Sequence, residues 1–428
     1  MKILTYFKQA WQLLRQNKLF STIYIVGTAL AIASTTIFAI IYYVKLAPVY
    51  PETNRSRMSV ILTAMLDEED CSWSGALSLA SINHYLRDLP HADVISVYRQ
   101  TWQTVPVNLN DDREEIKIVL RPTDTAFFKI FDYEFLAGAP FSDADFNSGV
   151  KKAVITDRLA EEVFGSVDAA MGNTITINFK KYDVCGVIRE GSAINKHSYA
   201  QAIVPYSTMN DYAGDNDPDQ FIGYYYMLLL SDDLAGLQSD LSEVSRKYNS
   251  THNGKTLSYW NQPQSATLDA LGIWPSDDDF DLGKTIRFNI LVLLTLLLVP
   301  ALNLSGMIAG RMDSRSSELG VRKSFGATRN RLLGQVLWEN LFLTVVGGIL
   351  GLIITWIVLS TDATFVFSII GDEWLNVDPS QTIRLTPDMM FAPVVFVFAF
   401  GVCVVLNLLS ALLPAWLSLR NPIVKSLK

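Results

Sequence analysis

The chain has 428 residues, 50% of them hydrophobic, and its 43 acidic and 35 basic side chains leave a formal charge of −8. That balance offers little to a nucleic-acid backbone. Its three cysteines build no evident disulfide framework: nothing favours pairing Cys71 with Cys185, and Cys403 falls in an apolar run, where it reads as a small hydrophobe.

In residues 1–18, Ile3, Leu4, Phe7, Ala10, Trp11 and Leu14 recur at helical spacing, and the charges are Lys2, Lys8, Arg15 and Lys18. Such an amphipathic helix lies on a membrane surface with its cations at the phosphates, or packs on another protein segment. Phe20 to Val44 is an uncharged run of 25 residues. It exceeds the roughly 7–15 of a signal-peptide core, and Lys45 follows without a clear cleavage site, so it reads as an uncleaved anchor across ~30 Å of hydrocarbon. Gly27, Ala31, Thr35 and Ala39 stand at four-residue intervals in it, a stripe that lets a second helix come close. The pattern does not distinguish an internal partner from a second copy.

Residues 46–286 mix helical and strand patterns. Ala76 to Leu89 is predicted helical, ending before Pro90, and Val94 to Arg99 alternates as a strand. Thr156 and Asp157 cap a helix through Phe164 that Gly165 closes, and Ile175 to Phe179 and Tyr182 to Ile188 read as strands around a Lys180-Lys181 turn. The apolar strand Tyr224 to Leu230 precedes a helix opened by Ser231 or Asp232, with Leu234, Leu237, Leu241, Val244 and Tyr248 on one face. Thr256 to Trp260 returns as a strand, and acidic Asp277 to Asp281 reads as a solvated joint. The rhythm is α+β.

Three further uncharged runs, Phe288 to Gly310, about Asn340 to Thr361, and Met389 up to Arg420, bring the expected membrane helices to four. Gly347 and Gly351 repeat the small-residue spacing. No Asp, Glu, Lys, Arg or His lies inside any run, whereas an ion-coupled carrier needs a countercharge at that depth. Of the lysines and arginines near the runs, 13 fall in residues 1–19, 311–339 and 420–428, and six (Lys45, Arg55, Arg57, Lys284, Arg287 and Arg384) fall on the other side. This bias puts both termini and the 311–339 loop in the cytoplasm and residues 46–286 outside.

A nucleotide-binding P-loop needs two glycines flanking four residues before Lys-Ser/Thr. Gly254-Lys255-Thr256 has Asn249 in the first glycine's place, and Gly283-Lys284-Thr285 has Asp278. His84, His91, His197 and His252 lack metal-ligand spacing, and neither Gly-x-Ser-x-Gly nor His-Glu-x-x-His occurs. The expectation is a chain without catalytic, cofactor or metal residues of its own.

The loop after the second run reads Asp313-Ser-Arg-Ser-Ser-Glu318-Leu-Gly320-Val-Arg322-Lys323-Ser-Phe-Gly326-Ala327-Thr328-Arg329, then Leu332-Leu333 and Gly347-Gly348-x-x-Gly351. It resembles the FtsX/MacB-type ABC transporter permease superfamily. Trp11 to Lys18, Leu413-Pro414-Ala415-Trp416 and Asn421-Pro422 extend the likeness to both ends. Phe127-Phe128-Lys-Ile-Phe131, Leu136-Ala-Gly138, Ala153 to Thr156, Gly172 and Val184 to Ile188 resemble a MacB-type periplasmic core domain.

The resemblance implies an α-helical membrane domain of four transmembrane helices plus an α+β extracytoplasmic domain of two lobes inserted between helices 1 and 2. Residues 1–45 would hold the entry helix and first span, 46–286 the core domain, and 287–428 the permease domain. One lobe is expected from 50–110 with 215–285 and the other from 115–205. It further implies a mechanotransmission permease of the bacterial inner membrane, in which a separate cytoplasmic ABC ATPase binds ATP and moves the outer domain. Further implied partners are a second permease copy or close homologue forming a dimer, a periplasmic adaptor with an outer-membrane channel, and membrane lipids. Export or efflux from the periplasm is the expected task; an ATPase-coupled regulator of an envelope process, or lipoprotein release, is the alternative. A membrane-anchored sensor would need a large cytoplasmic output domain, and the longest expected cytoplasmic stretch is under 30 residues. The expected ATPase-coupling residues are Glu318, Gly320, Arg322, Lys323, Gly326, Ala327, Thr328 and Arg329. With Arg322, Lys323 and Arg329 on one side and Leu319, Val321 and Phe325 on the other, this element can lie along a membrane and offer a knob to a soluble partner.

Overall fold

The computed structural model describes residues 18–420 apart from 69–70, 102, 109–114, 213–215, 276–281, 315–320, 323, 362, 370–382 and 391. The expected entry helix before Lys18, the acidic joint and the ending after Arg420 lie outside the described residues. The chain divides into two compact units: Met1–Tyr43 with Asp281–Val366 and Met389–Lys428, and Val44–Phe280 with Phe367–Asp388. The principal helices are α1 (Lys18–Leu46), α2 (Asp157–Phe164), α3 (Leu234–Thr251), α4 (Leu282–Ser314), α5 (Arg329–Thr361) and α6 (Pro393–Arg420).

The second unit is α+β. Its strands are β1 (Met58–Ile61), β2 (Ala64–Glu68), β3 (Cys71–Gly75), β4 (Val94–Arg99), β5 (Val105–Asn108), β6 (Ile116–Ile118), β7 (Leu120–Thr123), β8 (Phe135–Gly138), β9 (Lys152–Thr156), β10 (Thr174–Ile177), β11 (Lys180–Ile188), β12 (Ala202–Pro205), β13 (Tyr225–Leu230), β14 (Lys255–Ser258) and β15 (Gln264–Ser265). Twelve of them form one sheet in the order β15-β1-β13-β4-β7-β12-β9-β11-β10-β5-β6, with β8 also on β11; β14-β2-β3 form a second. The pairs β9/β11 and β7/β12 are parallel, as a helical crossover such as α2 requires.

The segments expected to form two lobes thus meet in one sheet. The segments assigned to different lobes share a sheet through the β4/β7 bridge at Tyr98 and Thr123, and a central core of Val60, Tyr98, Phe127, Ile203 and Leu228 runs across the join. Only the outer cores are separate: Leu86, Met227, Leu237 and Tyr248 beneath α3, and Ile155, Leu159, Ile175 and Val187 beneath α2. Strand β13 is buried at all six positions. Met227 and Leu229 enter the first core while Leu228 and Leu230 enter the central one, so both faces are covered and the strand reads as an unbroken apolar run. Each such side chain stabilises the fold by roughly 1.5–3 kcal/mol.

Local signals resolve as the chemistry dictates. Thr156 Oγ1 accepts from the Leu159 amide at 3.3 Å, and Gly165 ends α2 at φ +84°. The turn between β10 and β11 is Asn178-Phe179, at φ +46° and +63°, not Lys180-Lys181, which pair with Ile177 and Thr176. Asn accepts the left-handed conformation that such a two-residue hairpin requires. Asp233, one residue beyond the nearer of the two expected positions, caps α3 by accepting from the Gly236 amide at 2.8 Å. The predicted helix from Ala76 shortens to Leu79–Ser81 followed by a π-helical Ile82–Leu86, because Leu77 bridges to Ile222 and Tyr225 and Ser78 caps the helix.

In the first unit, α1, α4, α5 and α6 cover the four uncharged runs. Three stretches among the described residues are long and apolar enough to cross a membrane: Ser21–Leu46, Arg329–Thr361 and Pro393–Leu417. In α4 the apolar stretch identified is Ile286–Thr295. The helices meet closely at glycines of α5. A Cβ added to Gly347 would lie 2.9 Å from Thr28 Cβ, one on Gly351 2.6 Å from the Ala29 carbonyl, and one on Gly348 2.3 Å from Phe400. Around Gly27 the corresponding space is open to 4 Å. The face that α1 presents to α5 is thus Ile25, Thr28, Ala29 and Ile32; Ala31 and Thr35 are buried and Ala39 half-buried. Cys403 is buried beside Ile32.

Candidate functional site

The predicted coupling element leads into α5. Glu318, Gly320 and Lys323 lie outside the described residues; Arg322, Gly326, Ala327, Thr328 and Arg329 are described. Val321, Arg322 and Ser324 belong to a helical turn that Gly326 ends at φ +88°, with the Phe325 amide donating to the Val321 carbonyl and the Ala327 amide to the Arg322 carbonyl, each at 3.1 Å. Glycine at 326 is needed for this left-handed backbone, and its surroundings are also open to 4 Å. The turn holds Phe325 outward, 88% exposed.

Two anchors keep this knob in place. Arg322 Nη1 donates to Gln335 Oε1 at 2.8 Å, and Gln335 Nε2 donates to Glu339 Oε1 at 3.1 Å. Glu339 is buried, just before the uncharged part of α5, and sequence reading assigned it no role; its spacing of four from Gln335 on one helix face was the available signal. The second anchor is apolar. Leu332 and Val336 of α5 pack with Tyr24 of α1, Ile308 of α4, and Ala411 and Ala415 of α6, and Ala327 borders the cluster. The turn thus sits beside a cluster to which all four helices contribute.

A second polar cluster lies inside the α+β unit. Arg55, counted from sequence as a cation beside the first run, is buried: its Nη2 donates to Glu52 Oε2 at 2.6 Å and Asn195 Oδ1 at 2.9 Å. Ser198 Oγ donates to the other Glu52 oxygen at 2.7 Å. Asp269 meets Lys196 Nζ at 2.8 Å and His197 Nε2 at 2.6 Å, while His197 Nδ1 is 2.6 Å from the Tyr98 hydroxyl. Burial by itself opposes ionisation of Asp269, but His197 and Lys196 hold its carboxyl well below the usual carboxylate range. With that carboxylate ionised, His197 donates to it from Nε2. Burial pushes the Tyr98 hydroxyl well above its ordinary pKa.

Residues 21–243 match the family model described as the MacB-like periplasmic core domain, and residues 290–423 match that described as the FtsX-like permease C-terminal. The uncharacterized ABC transporter permease YknZ of Bacillus subtilis is 25% identical over 243 residues, 56% of each chain. The pyoverdine export ATP-binding/permease protein PvdT of Pseudomonas savastanoi is 26% identical over 234 residues, 54% of this chain and 34% of that protein. The chain thus spans about half or less of these curated relatives. The crystal structure of the periplasmic region of MacB from Actinobacillus actinomycetemcomitans aligns with 49% of this chain and 89% of its own at 13% identity and a TM-score of 0.33. The core-domain match alone covers more than half of the sequence, and the permease match follows it in order: the chain belongs to the FtsX/MacB-type ABC transporter permease family.

Proposed function

We propose that this permease is the membrane subunit of a mechanotransmission ABC transporter. Four helices cross the bacterial cytoplasmic membrane with both termini inside; residues 1–45 hold the entry helix and first span, 46–286 the extracytoplasmic core domain, and 287–428 the permease domain with the other three spans. A second copy or close homologue completes a dimer. A separate cytoplasmic ATPase binds and hydrolyses ATP, docks on Glu318 to Arg329, and drives the outer unit in export from the periplasm. Export is the task named for PvdT.

The observation that carries this reading is the outward Phe325 on a turn anchored to the four-helix cluster. Docking there pushes on Leu332 and its neighbours, and so on α1 and α4, the helices that flank the α+β unit in sequence. No solute path between the helices is needed, in keeping with the absence of Asp, Glu, Lys, Arg and His from their uncharged runs. Phe325→Asp tests it without touching the left-handed glycine: co-purification of the ATPase and permease-stimulated ATP hydrolysis should both fall by about tenfold, in line with losing an apolar anchor at an interface. Parental values of both would remove the knob from the mechanism.

A further inference from the structure

The α+β unit contains a cavity of about 40 Å³ whose polar lining is Lys45, Glu52, Arg55, Lys196, His197 and Asp269. A single water needs roughly 10–15 Å³ by the same measure, so the space suits a group of a few heavy atoms. Three basic side chains, Lys45, Arg55 and Lys196, face two acidic ones, Glu52 and Asp269. Both carboxylates are already engaged, Glu52 by Arg55 and Ser198 and Asp269 by Lys196 and His197. Arg55 is 5% exposed, yet its Nε and Nη1 have no acceptor among the described residues. Idle donors on a buried guanidinium are costly, and the group that best satisfies them is an oxyanion.

We propose that this cavity binds a phosphate group, which accepts hydrogen bonds from Arg55 Nε or Nη1 while Lys45 and Lys196 add positive charge. Lys45 stands in the last turn of α1, directly after the uncharged run. The phosphate of a phospholipid is therefore one source, and a free phosphate solute the other.

Thermal unfolding of the full chain separates them. In detergent, inorganic phosphate is titrated against chloride at equal ionic strength; in nanodiscs, phosphatidylglycerol is titrated into a phosphate-free galactolipid. The parent should show a saturable rise in Tm with at least one source. Phosphate alone marks a solute site, and phosphatidylglycerol alone marks a lipid site. Arg55→Lys, which keeps charge but loses the Nε and Nη1 donors, should weaken the apparent affinity by about tenfold. Lys45→Gln leaves the Arg55–Glu52 pair intact and should weaken it too, keeping the test readable if Arg55→Lys loses stability. No saturable rise from either source, or parental affinity in both variants, overturns the proposal and leaves a cavity that holds only water.

Discussion

The two units bury polar groups in opposite ways. In the α+β unit, charged side chains are inside and matched: Asp269 with Lys196 and His197, Glu52 with Arg55 and Ser198. In the helical unit the buried polar groups are mostly small hydroxyls, and those of Ser21, Thr28, Thr35 and Thr36 have no hydrogen-bond partner among the described residues. α1 and α5 come together by close backbone approach at Gly347 and Gly351, joined by hydrogen bonds between the Tyr24 and Thr344 hydroxyls and from the Thr355 hydroxyl to the Ala33 carbonyl. The contrast follows from the surroundings. A sheet core set in water can enclose ion pairs whose desolvation is offset by geometry, whereas helices meant for hydrocarbon gain nothing from excluding apolar surface from lipid and rely on packing.

The sharpest way to break this comparison is to remove one charge from the matched cluster. Asp269→Ala strands His197 and Lys196 and should cost about 3–5 kcal/mol of stability in the α+β unit, read by chemical denaturation. Because the folded carboxyl lies below its unfolded value, its contribution is fully present above the unfolded pKa of about 3.9 and is lost as pH falls from there toward the folded pKa. Asp269→Asn should flatten that acid limb; an unchanged limb would show that other carboxylates carry it.

A smaller effect is expected in the helical unit. Gly351→Leu places its Cβ against the Ala29 carbonyl and should cost about 1–3 kcal/mol through overpacking, seen as a lower Tm in detergent. Gly27→Leu, with open space around it, should leave the Tm within experimental error of the parent. Equal effects at the two glycines would mean that the α1/α5 contact does not depend on close approach.

Legibility in the sequence tracked the range of the interaction. The strand Val94–Arg99 and the Thr156 and Gly165 ends of α2 were readable because alternation and capping are settled within a few residues. The shared sheet was not, since nothing near Tyr98 announces that its partner is Thr123 or that β9 will lie beside β12. The Arg55, His197 and Asp269 cluster was hidden for the same reason: its members are 72 or more residues apart except where they are chain neighbours. In the coupling element, the motif pointed to Arg322 and Gly326, while the anchor through Gln335 and Glu339 emerged only with the helix in three dimensions.

The central claim, that the turn before α5 is where a cytoplasmic ATPase takes hold, is tested most directly by thiol chemistry at Phe325→Cys. Cys71, exposed in the α+β unit, serves as the natural control for the opposite side. In intact cells an impermeant maleimide should label Cys71 and spare position 325; after permeabilisation, position 325 should label and, with the ATPase present, cross-link to it. Labelling of position 325 from outside, or labelling after permeabilisation with no cross-link to a co-purifying ATPase, would contradict the account.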